Sequence, residues 1–397
     1  MASPSTAQRT TSSGVSTGPA ASSKSANPRV IGDLPLLQIK DLDVHFVTPR
    51  GIARVVDKAN LTIRHQEIVG IAGESGSGKT TLVEAILQII RFPNRVTHGQ
   101  VLFSHDGKEQ VDLMTLGDRR MRQLRGQHIA YVPQGSMNSL NPVARIEDQI
   151  VDGMVDHGIS ERAAKAKVPS LLAKVGLDEH VAKLYPHELS GGMKQRVIIA
   201  IAIAMEPSLI VADEPTTALD VNVQRLILET LLNLRDELNV AIMIVSHDLP
   251  VHAQLVERIG IMYAGQIVET GDIRSTVKES LHPYTSGLMH AIPSIGGSRE
   301  RLEGIGGATP SPLAWPEGCR FHNRCPRAMD ICTRVMPVLA EVAPGMREIA
   351  DGRTVEVVND RLVACHLYPE STPGAAPATA ANGQVHATAT LADGGRR

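Results

Sequence analysis

Apolar positions along this chain follow two rhythms. Glu67–Gly73 ("EIVGIAG"), Ser208–Asp213 ("SLIVAD") and Val240–His247 ("VAIMIVSH") are short unbroken apolar runs bounded by polar or glycine residues. Such runs predict strands covered on both faces, as in a parallel sheet. Thr81–Ile90 ("TLVEAILQII") instead spaces Leu82, Val83, Ile86, Leu87 and Ile90 at helical intervals. "VQRLILETLLNLRDELN" does the same with Val223, Leu226, Ile227, Leu231, Leu234 and Leu238, so the segment from 208 to 247 predicts a βαβ unit. Between 137 and 190 the pattern is mostly helical, with "SERAAKAKVPSLLAKVG" the clearest run, and Leu36–Ile63 alternates in short strands broken by turns, an antiparallel patch. The fold class expected is α/β: a sheet core, an antiparallel subdomain and an inserted helical subdomain.

Composition trims the possibilities. The chain has 397 residues, a formal net charge of −2 and 42% hydrophobic residues, which suits a globular protein and gives no basic surplus for a nucleic-acid carrier. Residues 1–33 and 371–397 are rich in Ser, Thr, Ala and Gly and read as a disordered lead and tail. The N-terminus lacks the apolar core of a signal peptide, so a cytosolic location is expected. The richest apolar stretch, Val197–Met205, is far too short to cross a bilayer. Work at a membrane would need spans supplied by partners.

Chemistry concentrates in three motifs. "GESGSGKT" (Gly73, Glu74, Ser75, Gly76, Ser77, Gly78, Lys79, Thr80) sits between a predicted strand and helix, with Thr81 following. Its glycines let consecutive N–H groups point at phosphate oxygens, Lys79 adds a point charge, and the Thr80 hydroxyl can ligand Mg²⁺. The helix N-terminus favours the same anion. In "LIVADEP", Asp213 ends a buried strand, where a carboxylate is costly without a partner such as hydrated Mg²⁺. Glu214 follows, placed to take a proton from water. "LSGGMKQR" (Leu189–Arg196) offers a second anion-binding helix start at Ser190, Gly191 and Gly192, with Gln195 in its first turns.

These three motifs, in this order, resemble the ATP-binding-cassette ATPases. The resemblance implies a RecA-like phosphate-loop core in which the signature at Ser190, Gly191, Gly192 and Gln195 of one subunit meets ATP held by the other. It also implies that Gln134 ("YVPQGSMNSLNP") reaches Mg²⁺, that Asp220 ("TTALD") lies in the loop crossing the dimer interface, that His247 ("IVSHD") sits near the γ-phosphate, and that Phe46 ("VHFVTPRG") stacks on adenine. ATP and Mg²⁺ are the implied cofactors, with Mg²⁺ on Thr80, Gln134 and Asp213. Gly135 departs from the acidic residue many relatives carry there, which bears on coupling to a membrane partner. The same engine drives soluble DNA-repair and translation ATPases. A single cassette with no long coiled coil and no C-x-x-C zinc module argues instead for a transporter.

Beyond residue 275, "HPYT" (His282–Thr285) and the segment to Tyr368 resemble the C-terminal extension of oligopeptide/dipeptide uptake ATPases. The expected domains are thus 34–275 for the ATPase, with 137–190 as its helical part, and 276–370 for the extension. The resemblance implies a second, homologous ATPase subunit, two membrane permeases and an external solute-binding protein, with this chain on the cytoplasmic face of the membrane. Relatives import oligosaccharides, nickel or glutathione, so the solute stays open. All four cysteines fall in the extension, Cys319, Cys325 and Cys332 as C-x5-C-x6-C and then Cys365. In a reducing compartment this clustering reads as a metal staple, with zinc and iron–sulfur both open, or as unoccupied thiols buried as small hydrophobes, rather than as disulfides. The resemblance favours a [4Fe–4S] cluster.

Overall fold

The computed structural model describes residues 32–291, 304–358 and 361–374. Most of the two segments expected to be disordered lies outside them. Strands β1 (Leu37–Thr48) and β2 (Gly51–Ile63) form an antiparallel hairpin, with Leu37 opposite Ile63 and Thr48 opposite Gly51. Alternation along β1, reset by a register irregularity between Ile39 and Leu42, buries Leu37, Ile39, Leu42 and Val44. The run Ile68–Ala72 is β3, buried at every position, and it leads into α1 (Lys79–Ile86). This helix ends four residues before the apolar pattern does. Gln88 takes a left-handed backbone (φ 50°) and its amide donates to the Leu113 carbonyl. Strands β4 (Arg95–Phe103) and β5 (Val111–Asp112) complete a sheet in the order β2-β1-β4-β5.

Helix α2 (Asp118–Gln127) precedes β6 (Ile129–Val132), and a helical segment then carries α3 (Ile146–Asp156) and α4 (Glu161–Lys174). Helix α5 (Gly191–Ile203) returns the chain to β7 (Leu209–Asp213), followed by α6 (Val221–Leu238) and β8 (Ala241–Val245). On α6 the core face is Ile227, Leu228, Leu231 and Leu234, whereas Leu226 is 40% exposed. After α7 (Leu249–Leu255) come β9 (Arg258–Tyr263) and β10 (Gln266–Asp272), joined by a tight turn. Strands β9-β3-β8-β7-β6 are mutually parallel, so the loops after β3 and β7 emerge at the same end of the sheet. Open α/β sheets bind ligands at that carboxyl end.

The extension is built onto this sheet. Helices α8 (Ile273–Lys278) and α9 (Pro283–His290) follow β10. Then β11 (Ala340–Val342), the small ribbon of β12 (Gly345–Glu348) and β13 (Thr354–Val357), and β14 (Arg361–Val363) occur in order. β14 pairs antiparallel with β10 and β11 with β14, which lengthens the main sheet to eight strands. Arg361 and Glu269, both fully buried, form an ion pair across β14 and β10, and Glu269 also accepts from the N–H groups of Leu281 and His282 at 2.9 Å each. Leu281, Val342, Val355, Val363, Leu367 and Tyr368 belong to a third apolar cluster beneath it. Strand pairing, a buried ion pair and an apolar cluster anchor the extension.

Candidate functional site

The phosphate loop takes its shape from two close approaches. Gly78 adopts φ 103°, and a Cβ there would lie 2.7 Å from the Val55 carbonyl oxygen of β2. Gly73 leaves β3 with its Cα against β9, where a Cβ would lie 2.1 Å from the Met262 carbonyl oxygen. Only glycine fits either place. Ser77 is fully buried, and its carbonyl accepts from the Gly265 N–H at 2.9 Å. Lys79 Nζ lies back on the loop, donating to the carbonyls of Gly73 at 2.8 Å and Glu74 at 3.0 Å. Burial lowers its pKa, opposed by the negative charges of Glu214, Asp213 and Glu74.

Glu214 lies opposite. Its carboxylate accepts from Gln134 Nε2 at 3.1 Å and from Thr217 Oγ1 at 2.8 Å, and pairs with His247 Nδ1 at 2.7 Å. Burial pushes its pKa up, but the hydrogen bonds of His247 and Thr217, with the positive charges of His247 and Lys79, outweigh that and hold it below the ordinary glutamate value. Its backbone sits at φ 49°, a left-handed conformation that costs energy for a non-glycine residue and recurs at functional sites. Asp213, one residue earlier, is fully buried and neither carboxylate oxygen has a hydrogen-bond partner of ordinary geometry. Burial raises its pKa, and the nearby Thr80 hydroxyl draws it back down in part. A buried carboxylate without a protein partner of ordinary geometry, beside the Thr80 hydroxyl, offers the oxygen donors that a hard divalent cation such as Mg²⁺ takes.

A single cavity brings together Ser75, Gly76, Gly78, Lys79, Thr80, Thr81, Gln134, Glu214 and His247, walled by Val55. Phe46 is outside this lining, half-buried on β1 against the apolar cluster of the antiparallel sheet. The signature residues are also elsewhere. Ser190 caps α5, accepting from the Met193 N–H at 3.3 Å, and Gln195 is buried along the same helix. Asp220 caps α6, accepting from the N–H groups of Asn222 and Val223 at 3.1 and 3.0 Å. These two helix starts touch: a Cβ on Gly192 would meet Val223 Cγ1 at 2.4 Å, and one on Gly191 would meet Leu219 Cδ2 at 3.5 Å. Each chain thus carries two separate surfaces, one around the phosphate loop and one at the starts of α5 and α6. Gly135, where an acidic residue was noted as missing, has φ 65°, a backbone that suits glycine.

None of the cysteines lines this cavity. Cys332 and Cys365 are buried, Cys319 and Cys325 half-buried, and all four are free thiols. Burial pushes Cys319 up to about 11, with the charges of Cys332 and Cys325 adding to it, and raises Cys365 in the presence of the other three. The thiols are thus in electrostatic reach of one another, yet among the described residues no group of three or more His, Cys, Asp or Glu side chains is placed to hold a metal ion. Sequence reasoning also missed Arg324, Thr309 and Tyr284, which contact Glu74 from the extension. "HPYT" marks Tyr284 as part of the extension, but no local pattern marks the contacts themselves, because their partner is more than two hundred positions away.

Comparison with known proteins agrees with the geometry. Residues 56–217 match the ABC transporter family, and residues 268–332 match the oligopeptide/dipeptide transporter C-terminal region. A putative peptide import ATP-binding protein of Brucella abortus is 44% identical over 73% of this chain and 87% of its own length. The dipeptide transport ATP-binding protein DppD of Escherichia coli is 40% identical over 75% of this chain and 90% of its own. Among solved structures, the dimeric bacterial ABC transporter cassette MJ0796 superposes with a TM-score of 0.53 at 28% identity, covering 60% of this chain and 99% of that one. The same cassette in a post-hydrolysis state with ADP and Pi gives 0.53 at 27%, covering the same shares. With its phosphate loop, buried strand-end carboxylate and capped signature helix, this chain belongs to the ABC transporter ATPases that carry the oligopeptide/dipeptide transporter C-terminal region.

Proposed function

We propose that this chain is the ATPase subunit of a peptide importer, bound at the cytoplasmic face of the membrane through two permease subunits. The observation that carries this reading is the joining, in one chain, of the ATPase segment at 56–217 to the peptide-transporter region at 268–332. Among the described residues no helix is long and apolar enough to cross a membrane, so the spans belong to partners in this reading.

The site residues then take these roles. The loop from Gly73 to Thr81 holds the ATP phosphates, and Phe46 stacks on the adenine. Thr80, Asp213 and Gln134 would hold Mg²⁺, which when bound offsets charge on the β- and γ-phosphates. Glu214, kept ionised by His247 and Thr217, orients and deprotonates the attacking water. His247 positions the γ-phosphate. Ser190, Gly191, Gly192, Gln195 and Asp220 complete the site of a second, homologous subunit in a head-to-tail pair. That pairing accounts for their distance from the cavity of their own chain. Closure on ATP and reopening after hydrolysis drive the permeases, and an external binding protein delivers the solute.

Purification of the assembled complex, with identification of the ligand on its binding protein, tests this directly. Permeases and a bound peptide are expected. An oligosaccharide, nickel or glutathione on that protein would contradict the peptide assignment, and absence of permeases would contradict the transporter assignment. A metal on Cys319, Cys325, Cys332 and Cys365 is a second reading, supported by the mutual electrostatic reach of the four thiols. Iron with acid-labile sulfide, or stoichiometric zinc, is its expected signature. A folded, active chain with neither rejects it.

A further inference from the structure

Glu74 occupies a variable position of the phosphate loop, yet it is the most heavily engaged residue there. Arg324 reaches it with a two-pronged contact, Nη1 to Oε2 and Nη2 to Oε1, each at 2.9 Å. Thr309 Oγ1 donates to Oε2 at 2.7 Å, and the Glu74 N–H donates to Tyr284 Oη at 2.8 Å. All three partners come from beyond residue 275, and the Arg324 side chain is only 6% exposed. The remaining guanidinium donors are also placed: Nε on the Gly306 carbonyl at 2.8 Å, Nη1 on Tyr263 Oη at 3.2 Å and Nη2 on the Ile305 carbonyl at 3.3 Å. Arginine has five N–H donors, and here each has an acceptor. A lysine could not reproduce that fork. From Glu74 one hydrogen bond leads to Lys79, because its carbonyl accepts from Lys79 Nζ at 3.0 Å.

We propose that Arg324 and Thr309 are positioning residues of the ATP site, holding Glu74 and through it the phosphate loop and Lys79 in their binding geometry. The inference deepens the proposed ATP-site roles and rests on them. The Glu74 carboxylate has its pKa lowered although burial alone would raise it, since the Arg324 and Thr309 hydrogen bonds win. Coupling of this kind is reciprocal. Nucleotide that fixes the loop must therefore also steady the stretch around Arg324.

The test uses the full chain and equilibrium titration with a fluorescent ATP analogue, beside hydrogen exchange over residues 304–333. Arg324→Ala is expected to weaken binding about tenfold, and Glu74→Gln to weaken it by a similar factor. The double variant should lose no more than the larger single loss, because both changes break one clamp. Arg324→Lys should recover only part of the affinity. Nucleotide should slow exchange over 304–333 in the wild type and fail to do so in Glu74→Gln. If Arg324→Ala does not fold, Glu74→Gln and Thr309→Val carry the test. Wild-type affinity in both, or fully additive losses in the double variant, would overturn the proposal. Lys79→Ala is the control for the underlying reading: if it too binds like the wild type, the ATP site is misassigned. If it loses binding while the Glu74 and Thr309 variants keep it, only the clamp fails.

Discussion

Asp213 carries the sharpest conflict between stability and use. Its fully buried carboxylate has no hydrogen-bond partner of ordinary geometry, and burial lifts its pKa above the usual aspartate value. A folded-state pKa above the unfolded one means the ionised group costs stability, and the cost grows as pH rises between the two values. Asp213→Asn is therefore predicted to raise the melting temperature of the nucleotide-free chain at neutral pH, with the gap closing in acid. It should also remove the extra stabilisation that Mg²⁺ with ATP provides. A lower melting temperature for the variant would mean that the carboxylate is already satisfied. Glu214 has the opposite sign: its pKa is held low, so its favourable contacts persist at neutral pH and are lost as pH falls through that low value. His247→Ala removes one of those contacts, and the acid limb of the pH–rate profile for hydrolysis should move to higher pH. An unmoved limb would separate His247 from the titration of Glu214.

At the scale of elements, the packing of α5 on α6 decides whether the signature surface keeps its shape. A Cβ at Gly192 would fall 2.4 Å from Val223 Cγ1, and a β-branched side chain on a helix cannot swing aside easily. Gly192→Ala is predicted to cost about 1–3 kcal/mol in chemical denaturation. Val223→Ala added to it should recover much of that cost, whereas additive losses would place the clash elsewhere. The elements that were legible from sequence share a physical cause. β3, β7 and β8 are buried at every position, so the unbroken apolar run states the strand outright. α6 declared itself by period, although Leu226, at the edge of the stripe, turned out to face solvent. The early end of α1 was not legible, because it depends on a left-handed Gln88 and a partner carbonyl in another segment. The phosphate loop, Gln134, Glu214 and His247 were legible as motifs, and the structure brings them into one cavity. The clamp on Glu74 was not, since long-range partners leave no local pattern.

Over the whole molecule, the extension behaves as part of the ATPase rather than as an appendix. The described residues fall into one compact unit, and β14 is hydrogen-bonded into the main sheet. Its central contact is the ion pair of Arg361 with Glu269, both at 0% exposure. Removing one partner leaves a buried charge unpaired, which costs roughly 3–5 kcal/mol. Arg361→Met is therefore predicted to lower the stability of the entire described chain in one cooperative transition. A separate early transition confined to residues 276–370 would show that the extension folds on its own. Peptide uptake powered by ATP hydrolysis, with Glu214 as base, is tested most directly by the assembled complex in proteoliposomes, supplied with peptide-loaded binding protein, comparing wild type with Glu214→Gln. Peptide-stimulated hydrolysis and uptake are predicted in the wild type, and in the variant a loss of turnover of about 10²–10⁴-fold with ATP still bound. Turnover and uptake that survive the substitution unchanged would contradict it.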